Sequence, residues 1–361
     1  MAFSRVPTLR ADPKHHLFEL TSRPANYEAI RSTFTQRITP VEQFFIRSHF
    51  DAPVDPANNW KLVVRGLVQK PLELSLADLE TMKQTTVEAV LQCAGNGRGL
   101  FQPRIAGVQW RYGAMGNAEW TGVRLADVLR AAGLAKAAKH LQMRGADRPV
   151  IDKTPAFIRG LPIEKALHAD TLIALRMNGQ PLSPLHGFPA RLVVPGWVGD
   201  DWVKWLTEID VRATEATGFF YETGYRFPSP PGAPGAAVPP ANMQVMTKHA
   251  VKSLIGSISD GDRVAPGERE LVGVAFSGEA RIAKVEITLD GTSWQPATLD
   301  AHDSDHGFRV FRKTVQLAPG KLVIGSRATD TAGATQPEKP VWNPSGYLHN
   351  AIDLARVEVR A

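Results

Sequence analysis

Between Pro228 and Pro240, thirteen consecutive residues hold six prolines and two glycines, and no regular helix or central strand survives that density of fixed φ angles and missing N–H donors. The chain is therefore read as two folding units joined by a connector at 228–241. Residues 1–227 form the first domain and 242–361 the second. A length of 361 residues agrees with two cores, since domains usually hold roughly 100 to 200 residues.

The two sides differ in texture. Upstream, Trp60-Lys61-Leu62-Val63-Val64 reads as a strand. Val128, Leu129, Ala132 and Leu134 fall at helical spacing within 126–136, with Gly133 near the end, so this part mixes α and β. Downstream, Ala283, Val285, Ile287 and Leu289 alternate with other residues and lead into Asp290-Gly291, a hairpin signal. Leu322-Val323-Ile324 and Val357-Glu358-Val359 are further strands. Short strands between Gly and Pro turns predict an all-β sandwich of immunoglobulin type, making the whole chain α+β. No internal repeat is seen.

Hydrophobic residues make up 43% and charged residues 22%, a globular balance. No apolar run reaches the roughly 18 residues of a membrane span. The first thirty residues contain no apolar leader core, which places the chain in the cytoplasm, or in the periplasm if a leader has been removed. The net charge of +6 comes from scattered basic residues, so nucleic acid is a poor partner and a small anion a better one. The single cysteine, Cys93, excludes an intrachain disulfide, a Cys-x-x-Cys zinc or redox site, and cysteine-ligated iron–sulfur clusters.

Common signatures are missing. Gly95-Asn96-Gly97-Arg98-Gly99 is followed by Leu100 where a dinucleotide fingerprint needs glycine, and no Walker lysine, His-Glu-x-x-His or Gly-x-Ser-x-Gly occurs. His302-Asp303-Ser304-Asp305-His306 carries metal-binding residue types. Histidines four apart converge mainly on a helix, however, and this stretch reads as a solvated loop. Cys93 lies in a small-residue turn with Arg98 five residues on. A guanidinium there favours the thiolate, whereas a buried cysteine would serve only as a small hydrophobe.

Further motifs bear on that choice. Phe44-Phe45-Ile46-Arg47-Ser48-His49, Leu91-Gln92-Cys93-Ala94-Gly95-Asn96, Met177-Asn178-Gly179-Gln180-Pro181-Leu182, His186-Gly187-Phe188-Pro189-Ala190-Arg191, Val193-Val194-Pro195-Gly196 and Val203-Lys204-Trp205-Leu206 follow in order. Together they resemble the sulfite oxidase family of molybdenum enzymes, in its haem-free bacterial or plant-like form. The β-rich second half resembles that family's dimerisation domain.

The resemblance implies a first domain that binds molybdenum with molybdopterin, and a homodimer. It implies oxidation of sulfite to sulfate by oxo transfer, with no haem in this chain and electrons passed to a separate acceptor such as a c-type cytochrome. It makes Cys93 the protein's ligand to molybdenum and assigns Phe45, Arg47, His49, His186, Arg191 and Lys204 to the pterin and its phosphate. Arg47, Arg98 and Arg309 would line an oxyanion pocket, with Tyr225 beside it. Guanidinium groups suit such a pocket because desolvating a dianion demands charged, multidentate donors. Gly224 and Gly97 depart from animal relatives, which carry an acid and an arginine there. A sulfane-sulfur dehydrogenase, a nitrate-reductase-like oxotransferase, and a non-catalytic anion- or pterin-binding module remain alternatives.

Overall fold

The computed structural model describes residues 11–12, 16–57, 59–149, 151 and 153–360. Of the first thirty residues, on which the leader reading rests, 1–10 and 13–15 lie outside them. In the first domain, the sheet that carries the cysteine is built on the antiparallel pair Gln84–Gln92 and Met115–Arg124, with Leu172–Met177 on the far side of the second strand. Leu172–Met177 is a near-continuous apolar run, buried at every position but Arg176. Ala89, Ala118, Trp120 and Val123 are wholly buried, and Trp120 donates its indole N–H to the Ala89 carbonyl at 3.1 Å. A second sheet places Leu206–Arg212 between His140–Gly145 and Leu62–Gly66, the last pairing being parallel.

Helices are few and short. The one predicted over 126–136 spans Leu125–Ala132, and Gly133 ends it with φ 71°, a left-handed turn that a side chain would strain. Trp60-to-Val64 is realised as the strand Leu62–Gly66.

The second domain is a sandwich. One sheet contains Lys252–Ile255, Gly267–Phe276 and Arg309–Leu317; the other contains Leu354–Val359, Gly320–Asp330 and Ile282–Thr288. Leu271, Phe311, Ile324 and Ala328 fill the space between them. The expected alternation holds at Val285 and Ile287 but fails at Ala283, which is exposed because an irregularity between Ile282 and Lys284 shifts the register. The Asp290-Gly291 turn forms, with Asp290 Oδ1 accepting the backbone N–H groups of Thr292 and Ser293 at 2.7 Å each.

The Pro-rich segment is no extended spacer. Arg226–Pro228 pairs antiparallel with Met243–Val245, so the prolines bulge from a two-stranded ribbon whose ends are tied together. The domains also share a core, in which Phe34, Val90 and Met115 of the first pack with Val274, Phe276 and Phe308 of the second. The His302–His306 loop crosses that boundary. His302 Nε2 lies 2.8 Å from Glu88 and His306 Nε2 lies 3.3 Å from Asp170, so the two histidines bind separate acids and do not converge. Among the described residues no helix is long and apolar enough to cross a membrane.

Candidate active site

Cys93 follows the last residue of the strand Gln84–Gln92, and its N–H is held by the Ala114 carbonyl at 2.9 Å. The chain then turns. Asn96 N–H donates to the Cys93 carbonyl at 2.9 Å, while the Asn96 side chain reaches Gln92 Oε1 and accepts from Ala114 N–H. Gly97, at φ 92°, is pressed against His349, whose Cβ would lie 2.5 Å from an added methyl, so no larger residue fits. Cys93 is buried. Burial pushes its thiol upward, and Arg47 and Arg98 only partly oppose this, so the lowered pKa expected from Arg98 alone is not what burial leaves.

The sulfur belongs to a cavity of about 690 Å³, part of it open to solvent. Its lining includes Phe45, Arg47, His49, Cys93, His186, Arg191, Lys204 and Tyr225, residues that span 180 positions of sequence. At one end Arg191 and Lys204 are deeply buried. Arg191 donates to the carbonyls of His186 at 3.0 Å and Trp202 at 3.1 Å, leaves its Nε–H unpaired, and stands 5.1 Å from the Trp120 ring. Lys204 Nζ donates to Ser48 Oγ at 2.8 Å and to the Leu185 carbonyl at 2.9 Å.

Among the described residues neither cation forms an ion pair with an acid. Burial pushes Arg191 down to about 9. Because a guanidinium keeps its proton at neutral pH, that cost stands as a demand for an anion. Burial, reinforced by repulsion from Arg191, also depresses Lys204 well below the ordinary lysine range. Asp147 lines the cavity too, and burial raises it to about 6. His186 stays neutral, lowered to about 3 by burial and then by Arg191, with Ser183 Oγ 2.7 Å from its Nδ1.

Around Tyr225 the other end is differently made. Its φ is 53°, an uncommon conformation for a bulky residue, and its hydroxyl is 2.5 Å from His49 Nε2. Arg47 Nη2 is 3.0 Å from His49 Nδ1. Burial and four nearby cations hold His49 neutral, and burial pushes the Tyr225 hydroxyl well above its ordinary range. Beneath them, Arg159 donates to Asp201 Oδ1 at 2.8 and 3.0 Å. Asp200 Oδ2 lies 2.7 Å from the same guanidinium but outside hydrogen-bonding angles, so both Asp200 oxygens lack a hydrogen bond. One buried guanidinium thus serves two buried carboxylates. Burial opposes the charge of Arg159, and the two acids more than offset it.

Two arginines stand elsewhere than expected. Arg309 is not among the lining residues: it sits on a strand of the second domain, donating to the His302 carbonyl at 2.7 Å and pairing with Asp303 at 3.3 Å, so its loop has taken its charge. Arg98 is close to Cys93 electrostatically but does not line the cavity either. It donates to the carbonyls of Ser345 and Val108 and lies 5.2 Å from the Tyr347 ring. Sequence reasoning passed over Asp147, the Arg159–Asp200–Asp201 cluster and Tyr347. Asp200-Asp201 stands just before the motif of Lys204, and acids that near a cation-rich motif were the available signal.

These residues fit a large anionic cofactor. The buried cations without ion-paired acids line the same cavity as the single thiol. No group of three or more His, Cys, Asp or Glu converges on a metal-sized space among the described residues, so a metal held by Cys93 would need ligands from a cofactor as well.

Comparisons with known proteins agree. Residues 49–220 match the family described as oxidoreductase molybdopterin binding domain, and residues 243–360 match the Mo-co oxidoreductase dimerisation domain. Sulfite oxidase of Arabidopsis thaliana is 33% identical over 94% of this chain and 93% of its own length. Mitochondrial sulfite oxidase of Homo sapiens is 35% identical over 96% of this chain and 67% of its own. Among solved structures, the sulfane dehydrogenase SoxCD from Paracoccus pantotrophus matches with a TM-score of 0.81 and 27% identity, covering 99% of this chain and 90% of that one. With the thiol, the buried cations and the sandwich all in place, the chain belongs to the sulfite oxidase family of molybdopterin-binding oxidoreductases.

Proposed function

We propose that this chain oxidises sulfite to sulfate at a molybdenum–molybdopterin cofactor held in the cavity, and that electrons leave to a separate acceptor, a c-type cytochrome being of the right class. Sulfite and water give sulfate, two protons and two electrons. The observation that carries the reading is one cavity lined by Cys93, Arg47 and Tyr225 and by Arg191 and Lys204, two buried cations that form no ion pair among the described residues.

Arg191 and Lys204 would bind the cofactor's anionic group, with His186 alongside, and Cys93 would hold the metal. When bound, the cofactor supplies the two-electron chemistry and the oxygen-transfer site. The chain's own residues do the rest. Arg47 offers a fixed fork to an oxyanion. A guanidinium only donates, so neutral His49 turns a lone pair to Arg47. Arg47 Nη2 is 3.0 Å from Nδ1 and 3.1 Å from Nε2; in the tautomer whose lone pair is on Nδ1, Nε2–H donates to the Tyr225 oxygen. The phenol proton is then free for a substrate oxygen. The second domain, as its family description states for the family, would pair two copies of the chain.

The test is protein from a host that makes the cofactor, assayed with sulfite and ferricyanide beside molybdenum analysis. Molybdenum-loaded protein inert to sulfite would end this reading. One observation favours a second reading, sulfane-sulfur oxidation. The substrate end contributes a single lining arginine, Arg47, together with the carboxylate Asp200, a weaker pull on a dianion than three arginines. Turnover of a sulfane substrate in preference to sulfite would decide for it.

A further inference from the structure

The second domain reaches the cysteine turn through the loop at 343–349. Asn343 locks it, with Oδ1 accepting Tyr347 N–H at 2.9 Å and Nδ2 donating to the Tyr347 carbonyl at 2.8 Å. Three contacts then seat it on the turn. Leu348 N–H donates to the Ala94 carbonyl at 2.9 Å, and the Ser345 carbonyl accepts Arg98 Nε–H at 2.8 Å. Gly346, at φ 63°, lies so close that an added methyl would be 2.8 Å from Arg98 Cγ. This places the half-buried Tyr347 ring face to face with Tyr225, centroids 5.4 Å apart and planes at 12°, with the Arg98 guanidinium 5.2 Å from it. The order from the cavity outward is Tyr225, Tyr347, Arg98.

Arg98 has no acid partner among the described residues. Two carbonyls and a ring face hold it, so its charge is not neutralised, only set back from the cavity. We propose that Tyr347 is a specificity-determining residue. Its ring is a partition between Arg98 and the substrate end, leaving Arg47 as the one arginine in contact with ligand, so that singly charged oxyanions are favoured over doubly charged ones.

This rests on the sulfite-oxidising reading and gives it a direction. At neutral pH part of the sulfite pool is singly charged hydrogensulfite, whereas the product is a dianion throughout. A site with one arginine in contact and a second screened holds the product less firmly than the substrate's charge-matched form. The stacked pair of tyrosines thereby supports release.

The experiment measures sulfate binding to molybdenum-loaded protein by calorimetry, with no turnover required. Tyr347→Val is expected to bind sulfate about tenfold or more tightly, because a charge-assisted contact becomes available. Tyr347→Phe, which keeps the ring, is expected to bind as the unaltered protein does, and Tyr347→Val with Arg98→Gln is expected to lose the gain. Unchanged or weaker sulfate binding in Tyr347→Val overturns the proposal, as does a gain that persists without Arg98. Where the valine variant loses metal, Tyr347→Leu is read in its place with the same two outcomes. A protein that shows the tenfold shift yet does not oxidise sulfite would overturn the functional reading and leave the partition standing.

Discussion

The two ends of the cavity treat buried charge in opposite ways. At the Arg191–Lys204 end two cations are tied to carbonyls and a hydroxyl, with no ion-paired acid among the described residues. At the Tyr225 end Arg159 is shared by two buried carboxylates. The first end carries a positive surplus that Asp147 offsets only in part through Lys204, and a resident anion would cancel the rest, which suits a cofactor that stays. The second is close to balanced, which suits a ligand that must arrive and leave. The difference teaches that burial of like residue types does not imply like function. What matters is whether the charge is already answered by the protein.

Substitutions can break or sharpen this contrast, and the largest effect belongs to the sulfur that both ends share. Cys93→Ser is expected to drop sulfite turnover to background with near-ultraviolet circular dichroism unchanged; normal turnover would dissolve the comparison altogether. Next comes a pair of opposite sign, read by denaturant unfolding of cofactor-free protein. Arg159→Met strands two carboxylates and should cost about 3–5 kcal/mol. Arg191→Met removes an unanswered cation and should stabilise by on the order of 1–4 kcal/mol while cofactor retention is lost. Equal destabilisation by both would mean that the ends do not differ.

At the substrate end, Arg47→Gln should raise the sulfite KM about 10- to 100-fold, the worth of a charge-assisted hydrogen bond, and Arg98→Gln several times less. An Arg98 effect equal to that of Arg47 would place both in contact with ligand.

The pH dependence of stability sharpens the contrast further. His186 titrates at about 3 when folded against about 6.5 unfolded. The unfolded chain therefore binds more protons in that window, and the contribution of His186 is lost as pH falls below 6.5, at about 1.4 kcal/mol per pH unit. Asp201 is raised by burial, so its contribution is present at low pH and lost as pH rises through the acid's ordinary value toward the raised one. Comparing His186→Gln and Asp201→Asn with the unaltered, cofactor-free protein from pH 4 to 8 should give slopes of opposite sign. The smallest effect is that of Arg309→Gln, which touches neither end. It should leave the sulfite KM unchanged and shift stability by less than about 1 kcal/mol.

Local chemistry was legible where neighbours in sequence are neighbours in space. The hairpin at Asp290-Gly291, the end of the helix at Gly133 and the cysteine turn at 93–96 each depend on residues within a few positions of one another. Arg309 misled because a guanidinium in a strand looks the same whether it faces a cavity or its own loop, and Asp303, six residues earlier, claims it. Tyr347 was hidden for the opposite reason: it meets Arg98 across 249 positions.

From its sequence alone the chain declared a Pro-rich break, a β-rich second half, a single thiol and the family motifs around it, because spacing, alternation and residue type are properties of the string. Tertiary structure decided the rest. It showed which cations are left without an ion-paired acid, that two acids share Arg159, that the Pro-rich segment bulges from a closed ribbon, and that an aromatic ring of the second domain lies against both Arg98 and Tyr225. Burial and long-range proximity set the energy of a charge, and neither is a property of any short stretch of sequence.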